Sequence, residues 1–339
     1  MSYLRKFAYA IGGFTIVLLL IGLLLPGTAQ VERSIEIAAP SATVFALVND
    51  PQRINEWSPW AAADPNAVIE YSGAQRGESA QVSWQGQIVG SGRQQIVTSE
   101  PYVRVASEID LGGHGTASTR FELEEVEIGT RVTWVFENKF GFNLAARYFG
   151  LLMDGMIGSD FEAGLVSLKR MAERLPAADF SDIEIRHDVV AAFDIAFVST
   201  HSEPEADAIA AALGAAYFKV LNFIDTRELR NSGSPMSIGG EFSGARLLFK
   251  AAIPVRGDIA SVATSGSGVQ LGRSYAGAVI WVEHTGPYRT LGATHDKIAA
   301  YLAAHGMQRN GDSWESYVDD PTRVSEAELR TFVYYPVIE

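Results

Sequence analysis

Residues 281–288 read W-V-E-H-T-G-P-Y, and they set how the second half of the chain folds. An apolar run leads into them, and a helix-like pattern follows as far as His305. Proline suits the first helical turn, so Gly286-Pro287 predicts the end of a buried strand and the start of a helix. His284 and Tyr288 would then lie near the open end of a sheet, within reach of a ligand. Alternatively, His284 only caps or packs against the helix start.

The sequence around this corner repeats itself. I-A-F-V at 195–198 corresponds to V-I-W-V at 279–282, and A-I-P-V at 252–255 corresponds to Y-Y-P-V at 334–337. Each half also holds a helical segment and a polar turn that leads into a strand; the helical segments are residues 206–222 and 291–305. The repeat predicts a duplicated strand-helix-strand-strand unit that forms one pseudo-twofold α+β domain.

Glu315 is the sharpest candidate site residue of this half. It lies in the predicted strand W-E-S-Y, and aligning the repeats places it against Met236. A carboxylate among aromatic rings can hold a cationic or amine ligand, or it can act as a general base. If strand alternation turns Glu315 outward with Tyr317, it is a surface acid instead. The predicted ligand-binding residues here are Trp281, His284, Tyr288, Trp314, Glu315 and Tyr317.

Residues 31–175 show a different pattern. Strand-like runs separated by Gly, Pro or charged turns predict an antiparallel meander. A long helix follows, with Phe161, Leu165, Leu168 and Met171 on one face. The aromatic residues Trp57, Trp60, Trp84 and Trp134 are candidates for lining a cavity, or they are ordinary core aromatics. His114, in a Gly-rich turn, is expected to be a solvated loop residue.

The N-terminal segment predicts a membrane anchor over residues 1–30. Residues 7–25 carry no charge over 19 positions, and Arg5 and Lys6 precede them. The span is long enough for a bilayer, and the basic residues favour an N-terminus in the cytoplasm and globular domains on the extracytoplasmic, periplasmic side. The alternative is a cleaved signal peptide, because 27–29 forms a small-x-small site.

Composition excludes several classes of function. The chain of 339 residues has a net charge of −13 and no basic block, so nucleic acid is not an expected partner. It has no cysteine, and its six histidines lack metal-ligand spacing. Phosphate-loop, H-E-x-x-H and G-x-S-x-G motifs are absent from the sequence. We therefore predict no metal and no cofactor.

Two resemblances add to these patterns. I-E-I-A-A-P-S-A-T-V-F-A-L-V-N-D-P, the Trp57-x-x-Trp60 pair and G-S-D-F-E-A-G-L-V-S-L-K-R resemble the START-like superfamily of polyketide cyclases, dehydrases and lipid-transport proteins (SRPBCC). This resemblance covers residues 31–175. It implies a helix-grip fold, in which a curved sheet wraps a long helix around a cavity for hydrophobic small molecules.

Beyond a linker at 176–182, residues 183–339 resemble the gyrase-inhibitor-like, or effector-binding, domain of multidrug-responsive transcription activators. The motifs that carry this are V-E-H-T-G-P-Y-R-T-L, W-E-S-Y-V-D-D-P and E-L-R-T-F-V-Y-Y-P-V. The resemblance implies that Glu315 is a pocket glutamate. A DNA-binding regulator is disfavoured, because no helix-turn-helix precedes this domain.

Two functions from different classes follow. The first is a membrane-anchored protein that binds hydrophobic or amphipathic, possibly cationic, small molecules without chemistry of its own. The second is an enzyme, either a hydrolase with Glu315 as the key acid or base beside His284 and Tyr288, or a cyclase-like activity in the first domain.

Overall fold

The computed structural model describes residues 2–112, 115–243 and 246–338. His114, expected to be a loop residue, lies outside the described residues. The chain divides into two compact units, Met1–Asp179 with Ala303–His305 and Phe180–Leu302 with Gly306–Glu339. Both units are mixed α+β structures with large antiparallel sheets.

The first unit contains helices that flank one seven-stranded sheet. Its helices are α1 (Ser2–Leu24), α2 (Ser41–Val48), α3 (Pro51–Trp57), α4 (Pro59–Ala63), α5 (Leu144–Gly150) and α6 (Met153–Ala172). Its strands are β1 (Thr28–Ile37), β2 (Val68–Ser72), β3 (Gln81–Gln85), β4 (Ser91–Glu100), β5 (Arg104–Asp110), β6 (Thr116–Val126) and β7 (Gly129–Lys139). Their order in the sheet is β1-β7-β6-β5-β4-β3-β2, with every neighbouring pair antiparallel.

The core of this unit lies between the sheet and α6. Phe161, Leu165 and Leu168 recur at helical spacing, and all three are fully buried, as the sequence periodicity predicts. They pack in one cluster with inward-facing strand residues such as Val31 and Val132. The long helix is therefore the central packing element against the meander.

Among the described residues, two helices are long and apolar enough to span a membrane, Lys6–Leu24 and Asp207–Thr226. Only 6% of the first is buried inside the protein, whereas the second contributes Leu213, Val220 and Phe223 to a buried core. The second is thus explained as a core helix. The first remains a candidate anchor at the N-terminus.

The second unit has one long sheet and two helices. Its helices are α7 (Ala206–Thr226) and α8 (Leu291–Ala304). Its strands are β8 (Arg186–Val190), β9 (Asp194–Ser202), β10 (Arg230–Asn231), β11 (Met236–Ser243), β12 (Arg246–Arg256), β13 (Gln270–Arg273), β14 (Gly277–Thr285), β15 (Gln308–Arg309), β16 (Trp314–Tyr317) and β17 (Arg330–Ile338). The order is β13-β9-β12-β11-β16-β17-β14-β8, with β10 paired to β12 and β15 to β17.

The corner at 281–288 is built as its sequence predicts. Strand β14 ends at Thr285, and Gly286 follows with a φ of 140°, a left-handed value that favours glycine. Pro287 then precedes a single 3₁₀ turn, Tyr288–Thr290, which leads directly into α8. This turn brings the first residues of α8 over the same face of the sheet as Val282 and Val333, with which Leu291 packs.

Candidate functional site

The second unit contains a large cavity between its two helices and the centre of its sheet. The volume is about 1590 Å³, and the lining comes from α7, α8, the 3₁₀ turn before α8, and strands β11, β12, β16 and β17. Glu315 and Tyr317 both line it, because alternate residues of β16 share one face. Glu315 is thus not a surface acid. Only 20% of its side chain is exposed.

Both oxygens of the Glu315 carboxylate are hydrogen-bonded. Oε1 lies 2.9 Å from Nε2 of His295, and Oε2 accepts a hydrogen bond from the Tyr317 hydroxyl. Nδ1 of His295 lies in turn 2.7 Å from the hydroxyl of Tyr335. One connected chain of polar groups therefore runs along the cavity wall from β17 through α8 to β16.

The ion pairs of the cavity distinguish Glu315 from its acidic neighbours. Four carboxylates line the cavity, and three of them have a lysine or arginine partner: Asp312 with Lys250, Asp319 with Arg330 and Asp320 with Arg323. The partner of Glu315 is His295, which carries a positive charge only when protonated. Arg289 and Arg309 also line the cavity, but among the described residues Glu315 forms no ion pair with a lysine or arginine.

Tyrosine hydroxyls surround this carboxylate. Burial raises the pKa of Tyr317 well above its usual value, and the negative charge of Glu315 raises it further. Burial likewise raises the pKa of Tyr217, again with a contribution from Glu315. Both phenols therefore stay protonated at any physiological pH and are hydrogen-bond donors. Among the described residues, the buried hydroxyl of Tyr217 has no hydrogen-bond partner.

His295, Tyr335 and Tyr217 were not predicted from the sequence as site residues. For His295 a signal existed: Leu291, His295, Ile298 and Leu302 follow helical spacing, which places the histidine on the apolar stripe of α8. A polar residue on such a stripe points into the protein, where it needs a partner. Tyr217 and Tyr335 look like core aromatics in sequence, and only the tertiary structure brings them to Glu315.

His284 packs against the start of α8, which is the alternative that the sequence left open for it. Its side chain is buried, with Nδ1 2.8 Å from Oγ1 of Thr294 and Nε2 3.2 Å from Oγ1 of Thr290. Burial lowers its pKa. It ties the end of β14 to the start of α8 and is not part of the cavity lining, whereas Tyr288 is. The expectation that His284 reaches a ligand directly is corrected accordingly.

Trp281 and Trp314 also differ from expectation. Both lie on the sheet face opposite Glu315, where the Trp314 ring stacks on Tyr334 at 4.8 Å and Trp281 packs against the same ring. Alternation along each strand causes this, since Trp314 is the immediate neighbour of Glu315. The two tryptophans thus stabilise the far side of the sheet and do not line the cavity.

The expected counterpart of Glu315 in the other half of the unit is corrected as well. Met236 pairs with Ser316 and is buried on the far face with Trp314, so it cannot be the structural equivalent of Glu315. Ser237 lies directly opposite Glu315 and lines the same cavity. The repeat alignment was wrong by one residue in this strand, and a shift of one residue exchanges the two faces of a strand.

The first unit has its own cavity, about 860 Å³ in volume. Trp60, Trp84 and Trp134 line it, and Trp134 is fixed by a 2.8 Å hydrogen bond from its indole nitrogen to Thr119 and by stacking on Phe161. Trp57 does not line it: this ring is buried behind Trp134 and donates to the Leu47 carbonyl at 3.1 Å. Trp57 is therefore a core aromatic, and the expectation that it faces the cavity is corrected.

The two cavities differ in charge. The described lining of the first-unit cavity contains no aspartate, glutamate, histidine or tyrosine, and Lys139 is its one ionisable side chain. The lining is otherwise aromatic, aliphatic or neutral and polar. It suits an apolar or amphipathic ligand, while the second-unit cavity presents four carboxylates together with His295, Arg289 and Arg309.

Two concave cavities, each lined by apolar and aromatic side chains together with specific polar groups, are typical of small-molecule-binding proteins. Residues 28–173 match the family model described as polyketide cyclase / dehydrase and lipid transport, and residues 246–338 match the GyrI-like small molecule binding domain. The chain joins a START-like domain to a GyrI-like domain, as its sequence resemblances predict. No curated protein matches the chain.

Several solved structures are similar to part of this chain at low identity. The EcmrR C-terminal domain is 14% identical, with 47% of this chain and 99% of that chain covered and a TM-score of 0.38. EcmrR in a DNA complex is 15% identical, with 58% and 70% covered and a TM-score of 0.38. A hydrolase from Listeria innocua is 15% identical, with 46% and 92% covered and a TM-score of 0.33. Likenesses at this level say nothing about the ligand or activity of this chain.

Proposed function

We propose that this protein is a membrane-attached binding protein whose GyrI-like domain holds a cationic amphipathic small molecule. The observation that carries the proposal is Glu315, a partly buried carboxylate in a large cavity, whose ion-pair partner is a histidine and whose other oxygen accepts a hydrogen bond from Tyr317. A buried charge is costly unless it is compensated. A ligand cation that reaches Glu315 supplies that compensation.

The tyrosines around Glu315 support a cation with an aromatic or amphipathic body. Tyr288 and Tyr317 pack edge to face at a centroid distance of 5.3 Å, and both line the cavity. Ring faces attract a cation electrostatically. The Tyr217 hydroxyl is a buried donor without a partner, and leaving a donor unpaired costs about 1–3 kcal/mol. A hydrogen-bond acceptor on the ligand removes this cost, so we expect the ligand to carry one.

The wider organisation belongs to the same proposal. The GyrI-like match begins at residue 246, so the duplication of the strand-helix-strand-strand unit over residues 183–339 is our inference. The element order β9-α7-β11-β12 followed by β14-α8-β16-β17 supports it, as does the central β11–β16 pair. The bounds of the linker, 176–182, and of the anchor, 1–30, are likewise our proposals.

Residues 7–25 support attachment to a membrane with both globular domains on the extracytoplasmic side. Residues 7–24 form part of α1, whose apolar side chains are largely exposed. Exposure of such a surface is unfavourable in water and favourable in lipid. Arg5 and Lys6 precede the span and favour an N-terminus in the cytoplasm. The chain is also predicted, from its sequence alone, to have no nucleic-acid partner, no metal and no cofactor.

A hydrolase is the second candidate, favoured by the geometry of Glu315, His295 and Tyr335. A carboxylate hydrogen-bonded to a histidine that is itself held by a third group has the arrangement of a general base and its orienting partners. Tyr317→Phe removes a donor to the carboxylate and separates the two candidates. If Glu315 activates water, Tyr317→Phe should lower the turnover number and shift the pH optimum of the reaction. If Glu315 only binds a ligand, the substitution should change the ligand affinity alone.

The test of the binding function is an equilibrium titration of the full-length chain with a cationic aromatic dye, followed by fluorescence anisotropy. Glu315→Gln keeps the shape and removes the charge, so it should weaken binding by about 1.5–3 kcal/mol, roughly 10- to 150-fold in Kd. Glu283→Gln is the matched control, because Glu283 lies on the far face of the sheet, where it pairs with Phe332. Equal affinity of Glu315→Gln and the parent chain would refute the proposal.

A further inference from the structure

The segment that joins the sheet of the first unit to α6 is unusually apolar. Residues 140–153 read F-G-F-N-L-A-A-R-Y-F-G-L-L-M and contain a single charged residue, Arg147. Several of their side chains face solvent rather than the core. Phe142 is 92% exposed, and Phe149, Leu151 and Leu152 are also exposed. Single exposed apolar residues are common, but a contiguous group of this kind marks an interaction surface.

This segment is fastened to the last two turns of α1. The Arg147 guanidinium donates to the carbonyls of Leu23 and Leu25 at 3.1 and 3.0 Å, and the Tyr148 hydroxyl donates to the carbonyl of Leu18. Gly22 permits the close approach, because a Cβ at that position would lie 3.2 Å from both Leu144 and Tyr148. Helix α5 therefore lies alongside the C-terminal end of the candidate anchor.

The contacts with α1 fix the depth of α5 relative to the span. Leu18 and Leu25 are seven residues apart, which is about 10 Å along a helix. If residues 7–25 cross the hydrocarbon core, α5 cannot stand clear of the membrane while it contacts Leu18. It must lie at the boundary between headgroups and acyl chains, the depth of interfacial amphipathic helices.

The same helix is a wall of the first-unit cavity. Ala146 and Phe149 line that cavity from α5, and Phe140 and the N-cap residue Asn143 line it just before the helix. One side of the segment thus faces the interior of the cavity, and the other presents Phe142, Leu151 and Leu152 to the surroundings. A ligand that enters past α5 comes from whatever covers that outer side.

We propose that residues 140–152 dock on the lipid bilayer and that the START-like cavity exchanges its ligand directly with the membrane past α5. The ligand is then a membrane-resident, apolar or amphipathic molecule. The occupant of the surface is the bilayer, because α1 leads into the membrane from the same end of the unit. This inference rests on the proposed membrane attachment, and it adds a surface, a route and a ligand class.

The test uses the absence of cysteine from the chain. Phe142→Cys and Leu151→Cys are each labelled with an environment-sensitive fluorophore in the full-length protein, which is reconstituted into phosphatidylcholine–phosphatidylglycerol vesicles. Ile128→Cys is the matched control: Ile128 is 76% exposed and lies in the turn at the far end of the β6–β7 pair. Doxyl groups placed on the lipid acyl chains should quench the labels at 142 and 151 at least about twofold more than the label at 128.

The outcomes separate the inference from the function on which it rests. Flotation of the vesicles is measured first, and a chain that does not float refutes both the attachment and the docking surface. A chain that floats while the labels at 142 and 151 are quenched no more than the control refutes the docking surface alone. Labels that are blue-shifted but not quenched by lipid mean that a protein surface covers the segment, which also overturns the proposal.

Discussion

Ser237 and Glu315 lie directly opposite each other in the antiparallel β11–β16 pair at the centre of the second-unit sheet. Both side chains face the same cavity, which Tyr317, the residue that donates to Glu315, also lines. The acid is thus located where the two halves of the unit meet, with groups from both halves around it.

Substitutions on the two faces of β11 should have separate effects. Met236 is buried on the far face, so Met236→Ala should cost about 2–5 kcal/mol of unfolding free energy. Ser237 is only half-buried, so Ser237→Ala should cost about 1 kcal/mol or less. Denaturant unfolding measures both. Cation affinity of the folded protein should change with Ser237→Ala and not with Met236→Ala; the reverse order would contradict the face assignment.

His284 should make the second unit less stable in mild acid. Burial lowers its pKa in the folded state, so the unfolded chain binds the proton more readily. At pH 8 the imidazole is neutral in both states, so its protonation does not change the free energy of unfolding. This free energy declines as the pH falls below about 6.5, the pKa of a histidine in the unfolded chain. His284→Gln should flatten the decline between pH 7.5 and 5.5. Thermal unfolding against pH measures this, and identical slopes for the two proteins would count against it.

The tryptophans of the first unit should divide into structural and ligand-contacting residues. Trp57→Phe removes a buried hydrogen bond and should reduce stability by about 1–3 kcal/mol. Trp60 is partly exposed and lines the cavity, so Trp60→Ala should weaken binding of a neutral probe, N-phenyl-1-naphthylamine, by about 0.5–1.5 kcal/mol. Fluorescence titration of the full-length chain tests this. Glu315→Gln should leave this binding unchanged, since Glu315 lines the other cavity.

Orientation across the membrane is tested by a fusion. An alkaline phosphatase domain attached after Glu339 should be active and should fractionate with membranes, because basic residues such as Arg5 and Lys6 before a span favour an N-terminus in the cytoplasm. An inactive fusion that fractionates with membranes would reverse the orientation. A soluble fusion product would eliminate the anchor.

Much of the fold could be predicted because it rests on local patterns. The α6 stripe of Phe161, Leu165 and Leu168 has helical periodicity, and the Gly286-Pro287 turn has a specific backbone requirement. The side chains of the site were harder to predict, because the sheet face on which each of them lies depends on the register of its strand. A displacement of one residue placed Met236 beside Glu315 in the sequence alignment, while the strand pairing puts Ser237 there. His295 approaches Glu315 only through packing of α8 on the sheet.

The central claim is that Glu315 binds the positive charge of a ligand. The most direct test compares a cationic styryl-pyridinium dye with a neutral isostere in which a phenyl ring replaces the pyridinium. Their Kd values are measured on the full-length parent chain, on Glu315→Gln and on the far-face control Glu283→Gln. The parent and Glu283→Gln should prefer the cation by the same factor, and Glu315→Gln should lose about 1.5–3 kcal/mol of that preference. An unchanged preference for the cation in Glu315→Gln would contradict the account.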